Sequence, residues 1–285
     1  MSPDIQSVRI GEISITCVPD GAANIDGHPY REDTDSGGEV DWSWYHHKFP
    51  NDFHGDSHNW RIHNNCFLIQ TNETNILVDT GVGVGPYPRY KNMHGTLMQS
   101  LGTAGVAVTD INYVVMTHAH PDHVAWNVDA EGSPYFPNAH YLLHQKDWDE
   151  FTGRTPVPPF FVRFVEPLKE IGLLRLISGN VEIAPGVTCF ETPGHTPGSM
   201  SIRISSQGEY LYVTGDVIVS PFYVFEPSRA FHSDLNSREG ISTRIQLIEE
   251  VVEHTGLIAS AHIGSSGIGS VLPSGGDYEF RPLFR

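Results

Sequence analysis

Apolar positions along the chain fall in short runs. Runs at 8–10, 13–18, 65–69, 76–79, 113–116, His140–His144, 188–191, 200–204 and 210–214 mix β-branched and aromatic residues and stop at turn pairs such as Thr71-Asn72 and Gln207-Gly208. That pattern predicts strands. Within 238–254, Ile241, Ile245, Ile248 and Val252 recur at steps of three and four, the period of a helix with one apolar stripe. Asn236 followed by Glu239 reads as its capping box. A second helix is predicted over 160–171, kinked or divided at Pro167. Strands interspersed with helices predict a layered α/β fold.

Between about 20 and 60 the periodicity stops. This stretch is rich in Gly, Asp and His and carries Trp42, Trp44, Tyr45, Phe49, Phe53 and Trp60. Long loops without periodicity are uncommon in compact domains and often cover active sites. A lid and a surface elaboration or oligomer contact are both open readings. Neither a repeat nor a low-complexity linker divides the chain, so its 285 residues are read as one domain carrying this insertion.

Charge narrows the classes of function. Lys plus Arg number 17 and Asp plus Glu 34, a formal charge of −17. Such a surface repels nucleic acid and anionic lipid. No apolar run reaches the length of a spanning helix, and the first ten residues lack the basic and apolar regions of a signal peptide. Cys17, Cys66 and Cys189 are widely separated and odd in number. They suggest neither a disulfide framework nor a thiolate metal site, and a reducing cytoplasm suits them.

The chemistry concentrates in the stretch 113–124, YVVMTHAHPDHV. In extended backbone, side chains two apart point the same way, so His118 and His120 can approach one metal ion. Pro121 suits a helix start, and that turn swings Asp122 and His123 toward a second point. Three more ligand-type residues follow predicted strands or apolar runs: His195 between two glycines, Asp216 in Thr214-Gly215-Asp216, and His262 after 257–261. Imidazole and carboxylate suit zinc, with iron, cobalt and manganese as alternatives. Of the other histidines, His46, His47, His54, His58, His94 and His232 read as solvated or hydrogen-bonded. His140 and His144 flank a strand, and Asp79 reads as a structural neighbour of the site.

The ordered set HxHxDH, His, Asp, His resembles the metallo-β-lactamase superfamily. The stretch 65–81, ending in Asp79-Thr80-Gly81, is similar to that family's early hairpin. The resemblance implies an αββα sandwich with two metal ions at one edge. It gives His118, His120 and His195 to the first, Asp122, His123 and His262 to the second, and makes Asp216 and a hydroxide the bridges. That hydroxide would attack a carbonyl carbon or phosphorus, with Asp122 passing a proton to the leaving group.

Within the superfamily, zinc β-lactamases with a cysteine ligand, helical-tailed thioesterases, RNA-processing nucleases and flavodoxin-fused diiron proteins fit poorly. The 23 residues after His262 read as loop. Residues 123–127, HVAWN, and 137–141, PNAHY, resemble the branch of N-acyl-homoserine lactonases and methyl-parathion-hydrolase-like enzymes, as does IAPGV at 183–187 followed by ETPGHTPG. Ser199 departs from that branch's usual histidine, and Tyr223, seven residues beyond Asp216, is the candidate for its catalytic tyrosine. Trp126, Phe160, Phe161, Phe222, Tyr223 and Phe225, with Trp42 and Trp44 from the insertion, are candidates for an apolar substrate pocket. The reading is a dinuclear hydrolase of a lactone or carboxylic ester, with a small-molecule substrate and a homodimer as one arrangement. A phosphotriester hydrolase and a mononuclear iron oxygenase acting on a persulfide are its alternatives.

Overall fold

The computed structural model describes residues 5–27, 42–50, 52–54, 59–264, 266–275 and 277–284. Among these residues two sheets form. The first holds β1 (Gln6–Ile10), β2 (Ile13–Ile25), β3 (Phe53–His54), β4 (Asn59–Gln70), β5 (Asn75–Val78), β6 (Tyr113–Val115), β7 (His140–His144) and β8 (Leu174–Ile177), in the order β1-β2-β4-β5-β6-β7-β8 with β3 on β4. Its first half is antiparallel, and β5 through β8 run parallel. The second holds β9 (Val181–Ala184), β10 (Val187–Glu191), β11 (Met200–Ser206), β12 (Glu209–Val213), β13 (Leu257–Ala259), β14 (Ile268–Ser274) and β15 (Asp277–Pro282), paired in sequence order.

The short apolar runs exist because both faces of each sheet are covered. On β4, Phe67 and Ile69 join Ile202, Ile204 and Val213 in the core between the sheets. Cys66 and Leu68 face the other way, onto Leu97 and Leu101 of α2 (Leu97–Thr103) and the helical segments that follow β7. Those segments are α4 (Gln145–Thr152), α5 (Pro159–Phe164) and α6 (Glu166–Glu170); α3 (Pro121–Val124) is a single turn after β6. On the second sheet, Tyr212 and Ile258 pack on Leu247, Ile248 and Val251 of α8 (Ser237–Glu253). The layers are therefore helix, sheet, sheet, helix. No helix of the described residues is long and apolar enough to cross a membrane.

Three expectations change. The stretch 20–60 is not all loop: β2 runs on to Ile25, β4 starts at Asn59, and α1 (Trp42–Lys48) and β3 lie between. A register shift between Pro19 and Gly21 interrupts the alternation without ending the strand. Residues 28–41, 51 and 55–58 of that stretch, His58 included, lie outside the described residues. The segment after His262 is not loop either; it supplies β14 and β15, and Pro273 and Gly269 weakened their strand signal. The long helix spans 237–253, one residue earlier than predicted at each end, and its buried positions are Gly240, Arg244, Leu247, Ile248 and Val251; of the predicted stripe only Ile248 is among them, with Ile241, Ile245 and Val252 half-buried. The 160–171 helix is divided, with the break at Val165 and Pro167 inside the first turn of the second piece.

Candidate metal centre

Parallel strands release their loops at one edge. His118 and His120 follow β6, His195 follows β10, Asp216 follows β12 in a 3-10 turn, and His262 follows β13. Two glycines allow the close approaches this needs. A Cβ on Gly194 (φ 133°) would stand 2.3 Å from Gly240 Cα, and one on Gly215 (φ 50°) would stand 2.9 Å from the Thr117 side chain.

The structure brings the seven predicted ligand residues together. Ligand atoms of His118, His120 and His195 group together, as do those of Asp122, His123 and His262, and Asp216 groups with His118 and His123. Asp216 Oδ2 lies 3.3 Å from His195 Nε2 and 3.9 Å from His118 Nε2. Its Oδ1 lies 3.2 Å from His123 Nε2 and 3.1 Å from His262 Nε2. One carboxylate thus faces both groups, one oxygen each.

Hydrogen bonds behind the imidazoles decide which nitrogen faces inward. His123 Nδ1 donates to Asp79 Oδ2 at 2.8 Å, and His262 Nδ1 to the His63 carbonyl at 2.6 Å. His195 Nδ1 donates to Asp234 Oδ1 at 3.3 Å. Thr117 gives its only hydroxyl proton to Asp79 Oδ2 at 2.9 Å, so at 3.1 Å it must accept from His118 Nδ1. In its neutral form each of these four rings carries its proton on Nδ1 and turns the lone pair of Nε2 inward. His120 is the exception, turning Nδ1 to within 2.9 Å of His195 Nε2.

These atoms fit metal ions and little else. His118 Nε2, His123 Nε2 and Asp216 Oδ1 are buried without a hydrogen-bond partner, a costly state for a polar atom unless a cation takes the lone pair. Burial drives the His118 pKa well below its usual value and His120 to about 3. Burial also opposes charge on His123, yet Asp216, Asp79 and Asp122 outweigh it and hold its pKa well above the usual. Burial likewise works against charge on Asp122 and Asp216, and the imidazoles of His123 and His262 keep both ionised. Protons and metal therefore compete for the same donor atoms.

A cavity of about 550 Å³ opens onto this cluster, lined by His120, Asp122, His195, Asp216 and His262 and by Trp60, Tyr90 and Phe231. Tyr90, absent from the sequence candidates, donates its hydroxyl to Asp122 Oδ2. Burial and the neighbouring Asp122 raise its pKa well above that of a free phenol, so it stays a donor. Only its place after Pro88 in a Gly- and Pro-rich loop marked it, because the contact spans 32 residues.

The predicted substrate residues lie elsewhere. Trp126 is in the core under the first sheet, its indole N–H donating to Asp20 Oδ1 at 2.9 Å. Phe161 is fully buried and Phe160 partly so, packed around Phe151. Phe222 and Tyr223 are fully buried behind the cavity wall. The Tyr223 hydroxyl donates to the Ala230 carbonyl at 3.4 Å. Trp42 stacks on Phe222 and Trp44 packs tilted against Phe225, so α1 backs the wall, while Ile25, Asp26, Gly27 and Trp60 of the 20–60 stretch line the cavity itself. His232, read as solvated, is exposed at the cavity and bonded to Ser233 Oγ at 3.0 Å. His140 is exposed and His144 binds Glu191 Oε1, both away from the cluster. Asp79 takes the supporting role expected of it.

The family model described as the metallo-β-lactamase superfamily matches residues 59–240. The N-acyl homoserine lactonase AiiA of Bacillus thuringiensis subsp. kurstaki is 26% identical over 211 residues, 64% of this chain and 78% of that protein. A probable metallo-hydrolase of Methanocaldococcus jannaschii is 31% identical over 157 residues, 54% of this chain and 66% of its own. Among solved structures, the dizinc quorum-quenching lactonase AidC superposes with a TM-score of 0.80 at 23% identity, over 98% of this chain and 97% of that one. The hydrolase AbOPH superposes with a TM-score of 0.84 at 19% identity, over 100% and 99%. At these identities the superpositions establish the fold.

Proposed function

The chain belongs to the metallo-β-lactamase superfamily and is a metal-dependent hydrolase, and from that premise we propose that it opens a lactone or carboxylic ester at a dinuclear centre. His118, His120 and His195 would hold one cation, Asp122, His123 and His262 the other, and Asp216 would span them. Two divalent cations, zinc first, would supply a water nucleophile at neutral pH and polarise the substrate carbonyl. The observation that carries this reading is the set of buried lone pairs at His118 Nε2, His123 Nε2 and Asp216 Oδ1, aimed at a common space by hydrogen bonds on the far side of each ring. A single-iron oxygenase would leave the group of Asp122, His123 and His262 without a task.

The protein's own groups handle orientation and protons. Trp60 and Phe231 give an apolar wall beside the cluster. Asp122 can carry the proton that the leaving oxygen needs, and Tyr90, at the cavity wall, holds Asp122 in place by donating its single hydroxyl proton to Oδ2. Lactonase names among the relatives favour a cyclic ester. The three buried cysteines, none of them in a disulfide, suit a reducing compartment such as the cytoplasm.

Elemental analysis of the zinc-saturated protein should give two equivalents per chain, and hydrolysis of acyl lactones should vanish with chelator and return with zinc. One equivalent at full activity would remove the dinuclear mechanism. Cleavage of phosphotriesters but of no lactone or ester would move the reading to its phosphorus alternative.

A further inference from the structure

The turn Pro88–Tyr90 and the residue after it give four consecutive residues to the cavity wall. Two of their side chains are committed. Tyr90 is bonded to Asp122 at the inner end, and Lys91 Nζ pairs with Asp26 Oδ2 at 2.8 Å. The backbone is fixed as well. Tyr87 N donates to the Met93 carbonyl at 2.8 Å and Met93 N to the Tyr90 carbonyl at 3.0 Å, while Lys91 and Asn92 take left-handed φ values of 54° and 60°. Arg89, next to Tyr90 on the same turn, is exposed at the same cavity, with no hydrogen bond or ion pair to any described residue.

Among the described residues, no carboxylate lining the cavity is left to neutralise it. Asp26 has Lys91, and Asp122 and Asp216 lie among the imidazoles. Acidic residues outnumber basic ones 34 to 17 in this chain, so a guanidinium with no partner among the described residues puts at the cavity a positive charge opposite in sign to the chain's net charge. Low-dielectric walls focus such a field on an incoming anion. A guanidinium meets a carboxylate through two parallel N–H···O bonds, and Ile25, Ile62 and Phe231 in the same wall suit a hydrocarbon spacer. Resting on the hydrolase reading above, we propose that the substrate is an ester or lactone carrying a carboxylate remote from the cleaved bond, and that Arg89 binds that carboxylate.

The test compares two esters on the zinc-loaded full chain: mono(4-nitrophenyl) adipate, which ends in a carboxylate, and 4-nitrophenyl hexanoate, which ends in a methyl group. The wild type should prefer the adipate in kcat/KM, and Arg89→Gln should lower the adipate-to-hexanoate ratio about tenfold. Arg163→Gln removes the same charge outside the cavity and should leave the ratio in place. A ratio unchanged by Arg89→Gln, or a wild-type preference for the hexanoate, overturns the inference while the hydrolase reading stands. Binding supplies the separate readout: calorimetry on the metal-free chain with the N-butyl monoamide of adipic acid and with N-butylhexanamide. Should neither ester be hydrolysed, the ester reading falls and the amides decide. Tighter binding of the carboxylate amide that Arg89→Gln removes supports the anion site, and equal affinities overturn it.

Discussion

Tyr90 and Tyr223 place the same phenol in two different settings. Tyr90 donates to a carboxylate at the cavity, whereas Tyr223 lies behind the wall with its hydroxyl on the Ala230 carbonyl at 3.4 Å. A hydrogen bond to a charged group contributes about 1.5–3 kcal/mol and a long neutral one about 1 kcal/mol or less. Tyr90→Phe should therefore lower kcat/KM for the preferred ester roughly tenfold to a hundredfold, with the metal content unchanged from wild type. Tyr223→Phe should shift only thermal stability. Kinetics and metal analysis on both variants check this, and a larger kinetic loss in Tyr223→Phe would exchange their roles.

At the scale of elements, α8 does more than cover the second sheet. Arg244 is fully buried on it and donates to the carbonyls of Val217 at 2.8 Å, Pro227 at 3.0 Å and Arg229 at 2.7 Å. It also stands 3.6 Å from Asp234 Oδ2, and Asp234 Oδ1 holds His195 Nδ1. One side chain thus ties the loop after Asp216 to the support of a histidine in the cluster. Removing one partner of a buried ion pair costs about 3–5 kcal/mol, because the other charge is left uncompensated. Arg244→Leu should lower unfolding stability by about that amount. It should also weaken metal retention, since Asp234 loses its counter-charge. Urea unfolding and a chelator competition measure the two effects, and a stability loss without faster metal release would confine Arg244 to packing.

The whole molecule's response to pH includes groups outside the cluster. Burial pushes the Asp52 carboxyl from 3.8 up to about 7, against a single backbone hydrogen bond from Gly264 at 2.8 Å. The folded chain then keeps a proton that the unfolded chain releases, so this group's contribution is fully present below pH 3.8 and is lost as pH rises toward about 7. Asp20 is pushed to about 7 in the same sense. Asp52→Asn removes one such group and should gain melting temperature relative to wild type as pH rises from 4 to 8, with the gain levelling above about 7. A difference that stays flat across that window would show that the Asp52 carboxyl is ionised in the folded state throughout.

The ligand types and the strand ends that carry them were legible in the chain, because alternation and turn residues are local properties and the HxHxDH segment brings its own geometry. The layered order was legible for the same reason: runs such as 66–69 and 76–78 are apolar at successive positions, as strands covered on both faces must be. The outer elements were not, since Arg244 is buried while Ile241 and Ile245 of the same helix are only half-buried, and it is held there by partners at positions 217, 227, 229 and 234. Trp126 and Tyr223 looked like pocket residues by sequence distance from the ligands, yet the fold turns both into its interior, and Tyr90 reaches Asp122 from a loop 32 positions earlier. Sequence alone specified which chemical groups were present and in what period. Which groups face the cavity was decided by long-range packing, because a side chain's direction at a loop is set by what fills the space on either side of it.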